Sequence, residues 1–235
     1  MYQTLDNPSY LTYNLFFQSE VLFQLGRFEE AKDKLLKVNS ILKEGHSLLP
    51  QLNAKMHLLN AEIALSQRDF TTAIKESEPA LASKDSSLSI KANQITGRAR
   101  TLLNSRSSEG IQNCMNALRQ SISINDPRKI NASKLILAEA YFNTGDYSNA
   151  LETSLQAKDY FVNSNQMESG WRVWLIAGKA SKQIGDYENA AKYGKLALEM
   201  LSQLQNDWGT EYFHVYMEKP DINLYFKEAE ILAKS

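Results

Sequence analysis

A six-residue motif recurs four times along this chain of 235 residues. Each copy has a turn residue, then a polar residue, an aromatic residue two positions after the turn and an alanine five positions after it. A small residue also lies seven positions before each turn residue. The four copies occupy residues 26–31, 68–73, 145–150 and 185–190. Such self-similarity is typical of repeat proteins, in which each repeat is one supersecondary unit.

The spacing of apolar residues indicates that each unit is a pair of helices. Leu15, Phe16, Leu22 and Phe23 follow the helical period, and Val, Ile and Thr form no alternating runs. Two antiparallel helices approach closely where small side chains meet, so the small residue belongs on the first helix and the alanine on the second. The turn residue then ends one helix and the polar residue starts the next.

The distances between the copies indicate a further, hidden pair. The turn residues at 26, 68, 145 and 185 lie 42, 77 and 40 residues apart. Because 77 is about twice the other intervals, a degenerate pair is expected between the second and third copies. Its first helix is predicted at 88–104 with Gly97 as the small residue, and its second at 108–124 with Gly110 and Ala117.

The residue types that recur at fixed distances from each turn residue resemble the signature of the tetratricopeptide repeat. The period near 40 exceeds the roughly 34 residues of the common form and is similar to long-helix variants in kinesin light chains and some bacterial regulators. The resemblance implies an all-α fold, a right-handed α-α superhelical solenoid of about five helix pairs with a C-terminal capping helix. We expect a solenoid at 1–207 and a cap at 208–235. The pairs are expected at about 9–44, 49–83, 87–124, 128–163 and 166–206, with a loop at 45–47 after the first.

The last residues differ from the repeats. They predict a short aromatic helix at 208–218 and a second helix at 222–233, separated by Lys219, Pro220 and Asp221. A cap that seals the end of the core is the favoured interpretation, and a separate binding element is the alternative. The sequence around Trp208 and Lys219 is similar to the ends of tetratricopeptide regions in large bacterial signalling proteins.

The resemblance implies that the first helix of each pair lines a concave groove, and that the groove binds a peptide or helix of another protein. The groove is expected to be aromatic and acidic at its N-terminal end and basic at its C-terminal end. For Phe16, Phe17 and Phe23, packing between helices is the alternative to a role in the groove. For the charged residues, the alternative is a face that is exposed to solvent and contacts no partner. The candidate residues are Tyr13, Phe16, Glu20, Phe23, Lys55, Glu62, Arg98, Glu139, Arg172 and Lys179.

Several kinds of chemistry find no support in the sequence. A net charge of −1 gives no general attraction to nucleic acid or an anionic membrane, and no apolar stretch approaches the length of a membrane span. The three histidines have no metal-ligand spacing, so neither a metal nor another cofactor is expected. Cys114 is interpreted as a small buried hydrophobe, and Asp146 and Asp186 as helix caps. No set of nucleophile, base and orienting group indicates an enzyme.

The sequence thus predicts a non-catalytic, cytoplasmic scaffold that binds a protein or peptide. A regulatory sensor segment of a larger signalling protein, responding to an effector, is one alternative. Self-assembly into a homodimer through Tyr10, Tyr13 and Phe17 is another.

Overall fold

A computed structural model describes residues 8–43 and 50–234 of the chain. Within these two ranges there are twelve helices and no strand. The loop expected at 45–47 lies outside the described residues. The helices are α1 (Pro8–Gln24), α2 (Phe28–Lys43), α3 (Pro50–Ser66), α4 (Phe70–Leu81), α5 (Ser86–Leu103), α6 (Ser108–Ser123), α7 (Pro127–Asn143), α8 (Tyr147–Asn163), α9 (Met167–Gln183), α10 (Tyr187–Trp208), α11 (Thr210–Met217) and α12 (Pro220–Ala233).

The first ten helices form five antiparallel pairs that stack on one another as a right-handed superhelix. The first helices α3, α5, α7 and α9 contact each other in order along one side. We call the surface made by α1, α3, α5, α7 and α9 the inner face. The predicted all-α solenoid of about five pairs is therefore confirmed.

The turns inside the pairs follow the Gly-Asp prediction. Gly145 and Gly185 have φ values of +84° and +86°, a left-handed conformation that ends the first helix. The carboxylate of Asp146 then accepts a hydrogen bond from the Asn149 backbone N–H at 3.3 Å, and the carboxylate of Asp186 accepts one from that of Asn189 at 3.1 Å. Both aspartates are helix N-caps, as the sequence predicts.

Replacing Arg68 with glycine is expected to raise the free energy of unfolding by about 1 kcal/mol. Arg68 occupies the turn position of the second pair with φ +64°, where an L side chain costs roughly 1–2 kcal/mol that glycine avoids. The lost contact between its guanidinium and the Phe70 ring, 5.3 Å away, offsets part of the gain. Urea unfolding followed by circular dichroism measures the change, and a lower midpoint than that of the wild type would contradict it.

The small residues lie where helices cross. Ala31, Ala73, Ala150 and Ala190 are each fully buried in their pairs. The third pair uses glycines, because a Cβ added at Gly97 would lie 2.8 Å from the carbonyl oxygen of Gly110. The degenerate repeat therefore keeps the close crossing although it lacks the aromatic residue of the motif.

The residues after the solenoid fold back over it. Trp208 ends α10 instead of beginning a separate helix, and Gly209 makes the turn at φ +79°. We call residues 209–234, which contain α11 and α12, the C-terminal segment. Its helix α12 packs on α10 so closely that a Cβ added at Gly194 would lie 2.7 Å from the Ala233 backbone nitrogen. Ile222 and Leu232 join the core cluster of the fifth pair, so α12 caps that end of the superhelix.

Candidate functional site

The C-terminal segment crosses the inner face from the last pair back to the first. Lys219, between α11 and α12, places its Nζ 5.3 Å from the centroid of the Phe23 ring in α1. A Cβ added at Gly26 would lie 3.3 Å from the Val215 carbonyl oxygen, so α11 is close to the first turn. The C-terminal segment therefore covers part of the surface that an open groove would present.

A buried charge network joins this segment to the middle of the inner face. Arg98 of α5 forms an ion pair with Glu139 of α7, with Nε and Oε2 2.7 Å apart, and donates a hydrogen bond to the Tyr225 hydroxyl of α12 at 3.0 Å. Glu139 also pairs with Arg172 of α9. Burial by itself raises the pKa of Glu139, but the two guanidinium groups outweigh it and hold that pKa below its usual value.

A second contact fastens α12 to α9. The Lys179 Nζ lies 2.7 Å from Glu228 Oε2 and donates a hydrogen bond to it. The same ammonium lies 4.5 Å from the centroid of the Phe142 ring. Lys179 is thus held between a carboxylate of the C-terminal segment and an aromatic face of the solenoid, and it is not an open groove cation.

The inner face and the C-terminal segment line a half-open cavity of about 250 Å³, which we call the axial cavity. All five first helices contribute to its wall, together with three residues of the C-terminal segment. Its charged side chains carry both signs. They are Glu62, Lys91, Arg98, Glu168, Arg172, Lys219 and Asp221.

A second space, the aromatic cavity, opens beside the axial cavity with a volume of about 430 Å³. Trp208, Tyr212, Tyr216 and Leu25 supply its apolar lining. Three residues, Gln24, Glu168 and Lys219, line both cavities and so mark the boundary between them. The Tyr216 hydroxyl accepts a hydrogen bond from the indole nitrogen of Trp171 at 3.1 Å, which fixes the wall of the aromatic cavity to α9.

The candidate residues of the N-terminal end have different positions. Phe16 is only 2% exposed and lies in the core cluster of the first pairs. Phe23 is buried but forms part of the axial cavity wall. Tyr13 is half-buried against the first core cluster, and Lys55 is exposed. Burial raises the pKa of the half-buried Glu20, an effect that the nearby Lys55 opposes.

The candidate residues of the middle and C-terminal end lie together. Glu62 pairs with Lys91 at 2.5 Å on the cavity wall. Arg98 and Arg172 line the same cavity and share Glu139, as described above.

The sequence interpretation did not include the residues that the C-terminal segment adds. Asp221, Tyr225 and Glu228 follow one another at spacings of four and three residues, which places them on one face of α12. This row of polar residues beside an apolar face was the sequence signal from which their position could have been predicted. Lys219, which precedes the helix, gave no periodic signal of its own.

Cys114 is fully buried, and burial raises the pKa of its thiol to about 12, so it stays protonated. Among the described residues, no three His, Cys, Asp or Glu side chains form a group suited to a metal ion. Within the same part of the chain, every helix is too short or too polar to cross a bilayer.

No family model matches the chain, and no curated protein matches it. Solved structures do. A Rap protein complexed with competence and sporulation factor aligns over 95% of this chain and 64% of its own, at 14% identity and a TM-score of 0.74. The Rap conjugation gene regulator of plasmid pLS20, in complex with the Phr* peptide, aligns over 95% and 62%, at 13% identity and a TM-score of 0.70.

A third neighbour is a signal-transduction ATPase with numerous domains and a tetratricopeptide repeat sensor, from Pyrococcus horikoshii. It aligns over 97% of this chain and 35% of its own, at 17% identity and a TM-score of 0.60. This chain therefore spans less than two thirds of the length of each of these three neighbours. At such identities the likeness shows the fold, and the chain is a right-handed superhelix of tetratricopeptide-type helix pairs.

Proposed function

We propose that this chain is a non-catalytic protein-interaction module that binds a peptide or helix of a partner protein in the axial cavity. One observation carries the proposal: first helices from all five pairs converge with the C-terminal segment on a single cavity. A ligand held there touches both ends of the superhelix at once. Concave sites with a few convergent polar groups are where proteins bind ligands.

The chemistry of the cavity wall supports a peptide ligand. Glu62, Lys91 and Arg172 are only half-buried and offer both donors and acceptors, which suits a backbone with polar side chains. Ile95 and Ile136 add apolar surface between them. Two structural neighbours were solved in complexes, one with competence and sporulation factor and one with the Phr* peptide.

Reversing one charge of the cavity wall tests the proposal. Glu62→Lys should weaken partner binding at least tenfold, since it removes an acceptor and places a second cation beside Lys91. The partner is captured from native lysate on the immobilised chain, and its affinity is then measured by calorimetry. The matched control is Glu152→Lys, which makes the same change at an exposed position of α8.

Equal affinities for wild type, control and Glu62→Lys, with the circular dichroism spectrum unchanged, would remove the axial cavity from the proposed function. Loss of binding in both variants would indicate a general charge effect and would count against it as well.

A regulatory sensor within a larger signalling protein is the second candidate. The observation that favours it is the contact between Lys219 and Phe23, which joins the two ends of the superhelix across the cavity. A ligand between them can change the curvature of the solenoid. One structural neighbour carries a tetratricopeptide repeat sensor in a protein of several domains. Small-angle scattering with and without the captured partner separates the candidates. In a sensor, the scattering of the complex departs from that calculated for the unchanged solenoid with the partner added, and in a rigid module it does not.

Self-assembly is the third candidate, favoured by apolar side chains on the outer side of α1. Tyr10, Leu11, Phe17 and Val21 are 53–66% exposed. A homodimer through this face would cover them. Light scattering that shows a monomer across micromolar concentrations would exclude this function.

A further inference from the structure

Lys219 is a buried cation without a carboxylate partner among the residues that the structure describes. Its residue is 6% exposed, and its ammonium lies between two aromatic faces, 5.3 Å from the Phe23 centroid and 5.4 Å from the Tyr216 centroid. No described carboxylate lies within 4.0 Å of it. Aromatic faces attract an ammonium but do not neutralise its charge.

The other cations of the axial cavity differ from Lys219 in this respect. Lys91 pairs with Glu62, and both Arg98 and Arg172 pair with Glu139. A buried charge is costly unless it is paired, so an anion placed at Lys219 would gain more than one placed at any of these cations.

The surroundings of Lys219 limit the kind of anion. Glu168 and Asp221 line the axial cavity with it. Glu168 lines both cavities beside Lys219 and has no ion-pair partner among the described residues, so its carboxylate repels a doubly charged group such as a phosphate monoester more strongly than a single carboxylate. The site therefore favours a monoanion.

The aromatic cavity on the other side of Lys219 indicates which chemical group lies next to the carboxylate of the ligand. Leu25, Trp208 and Tyr212 give it an apolar lining, and Lys219 stands at its edge. A carboxylate on Lys219 thus has an apolar pocket on one side and the mixed-charge axial cavity on the other. The C-terminal residue of a peptide has this arrangement, with its carboxylate next to one side chain and to the preceding backbone.

We propose that the ligand is a peptide with a free C-terminus, whose carboxylate binds Lys219 and whose last side chain, aromatic or aliphatic, fills the aromatic cavity. This inference rests on the proposed function. It adds the orientation of the bound peptide, since the last residue lies at Lys219 and the preceding residues lie in the axial cavity.

The experiment uses two synthetic pools of the same random octapeptides, one with free C-terminal carboxylates and one with C-terminal amides. Each pool is passed over the immobilised chain, and retained peptides are identified by mass spectrometry. The amide pool keeps every side chain and removes only the charge. The expected result is at least tenfold more retention from the carboxylate pool, with aromatic or aliphatic residues enriched at the last position.

Two variants assign that difference to one side chain. Lys219→Met keeps the length of the side chain and removes its charge, so it should abolish the preference for free carboxylates. Lys227→Met makes the same change at an exposed position of α12 and should keep the preference. The comparison of the two pools on the wild-type chain stands even if Lys219→Met does not fold.

Equal retention of both pools would overturn the carboxylate site and leave the proposed function standing. Retention of neither pool would overturn both. A preference for free carboxylates that persists in a folded Lys219→Met variant would overturn the assignment to Lys219.

Discussion

Replacing Glu139 with glutamine is expected to lower the free energy of unfolding by about 3–5 kcal/mol, because it leaves the buried guanidinium of Arg98 and the half-buried guanidinium of Arg172 without their shared carboxylate. The Glu139 side chain is 5% exposed and pairs with Arg98 at 2.7 Å and with Arg172. Glutamine has nearly the same volume, so the loss reports charge and not packing. Urea denaturation at neutral pH measures it.

An exposed pair provides the control for this prediction. Arg27 and Glu30 form an ion pair at 2.6 Å with both side chains 53% exposed. Glu30→Gln is expected to cost less than about 1 kcal/mol, since water screens such pairs. Equal losses in the two variants would show that the Glu139 network contributes no more than a surface pair.

The network itself is not expected to be the main source of stability. Replacing Arg98, Glu139 and Arg172 together by Met, Leu and Met should recover most of what Glu139→Gln loses, because apolar side chains of similar size avoid the cost of removing charges from water. The triple variant would lose the ion pairs that Arg98 and Arg172 form with Glu139 beside the axial cavity. If the proposed function holds, it would also lose its ability to bind the partner. Stability without binding in that variant would indicate that these charges are retained for recognition.

The helix pairs could be predicted from the sequence because their packing depends on single positions. A small side chain at a crossing is needed wherever two helices approach closely, so Ala31, Ala73, Ala150 and Ala190 mark the crossings one by one. The register along the first helices likewise placed Arg98 and Glu62 on the wall of one cavity.

The position of the C-terminal segment on the inner face could not be predicted in the same way. The contact between Lys219 and Phe23 joins residues 196 positions apart and belongs to no repeat. Phe16 shows a related limit, because its helical position suits both the groove and the core, and only the packing of the first pairs decides that it is buried. Periodicity states which residues share a face of a helix but not what covers that face.

Replacing Gly194 with alanine is expected to lower the free energy of unfolding by about 1–3 kcal/mol, although glycine is normally the worse residue in a helix. In an exposed helix the change would be favourable by about 1 kcal/mol. Here the added methyl group would lie 2.7 Å from the backbone nitrogen of Ala233 and 2.9 Å from the carbonyl carbon of Leu232, so α12 must move away from α10. Ser202→Ala, at an exposed position of the same helix, is the control and should be neutral or slightly stabilising.

The same variant connects the cap to the candidate site. The helix that Gly194 holds in place also carries Tyr225 and Glu228, which contact Arg98 and Lys179 on the inner face. Displacing α12 should therefore expose the 209–234 segment to limited proteolysis and weaken partner binding, while the four preceding helix pairs keep their helicity. A Gly194→Ala chain as stable and as protease-resistant as the wild type would mean that α12 does not approach α10 as closely as the structure places it. The part of the axial cavity wall that the C-terminal segment supplies would then lose its support.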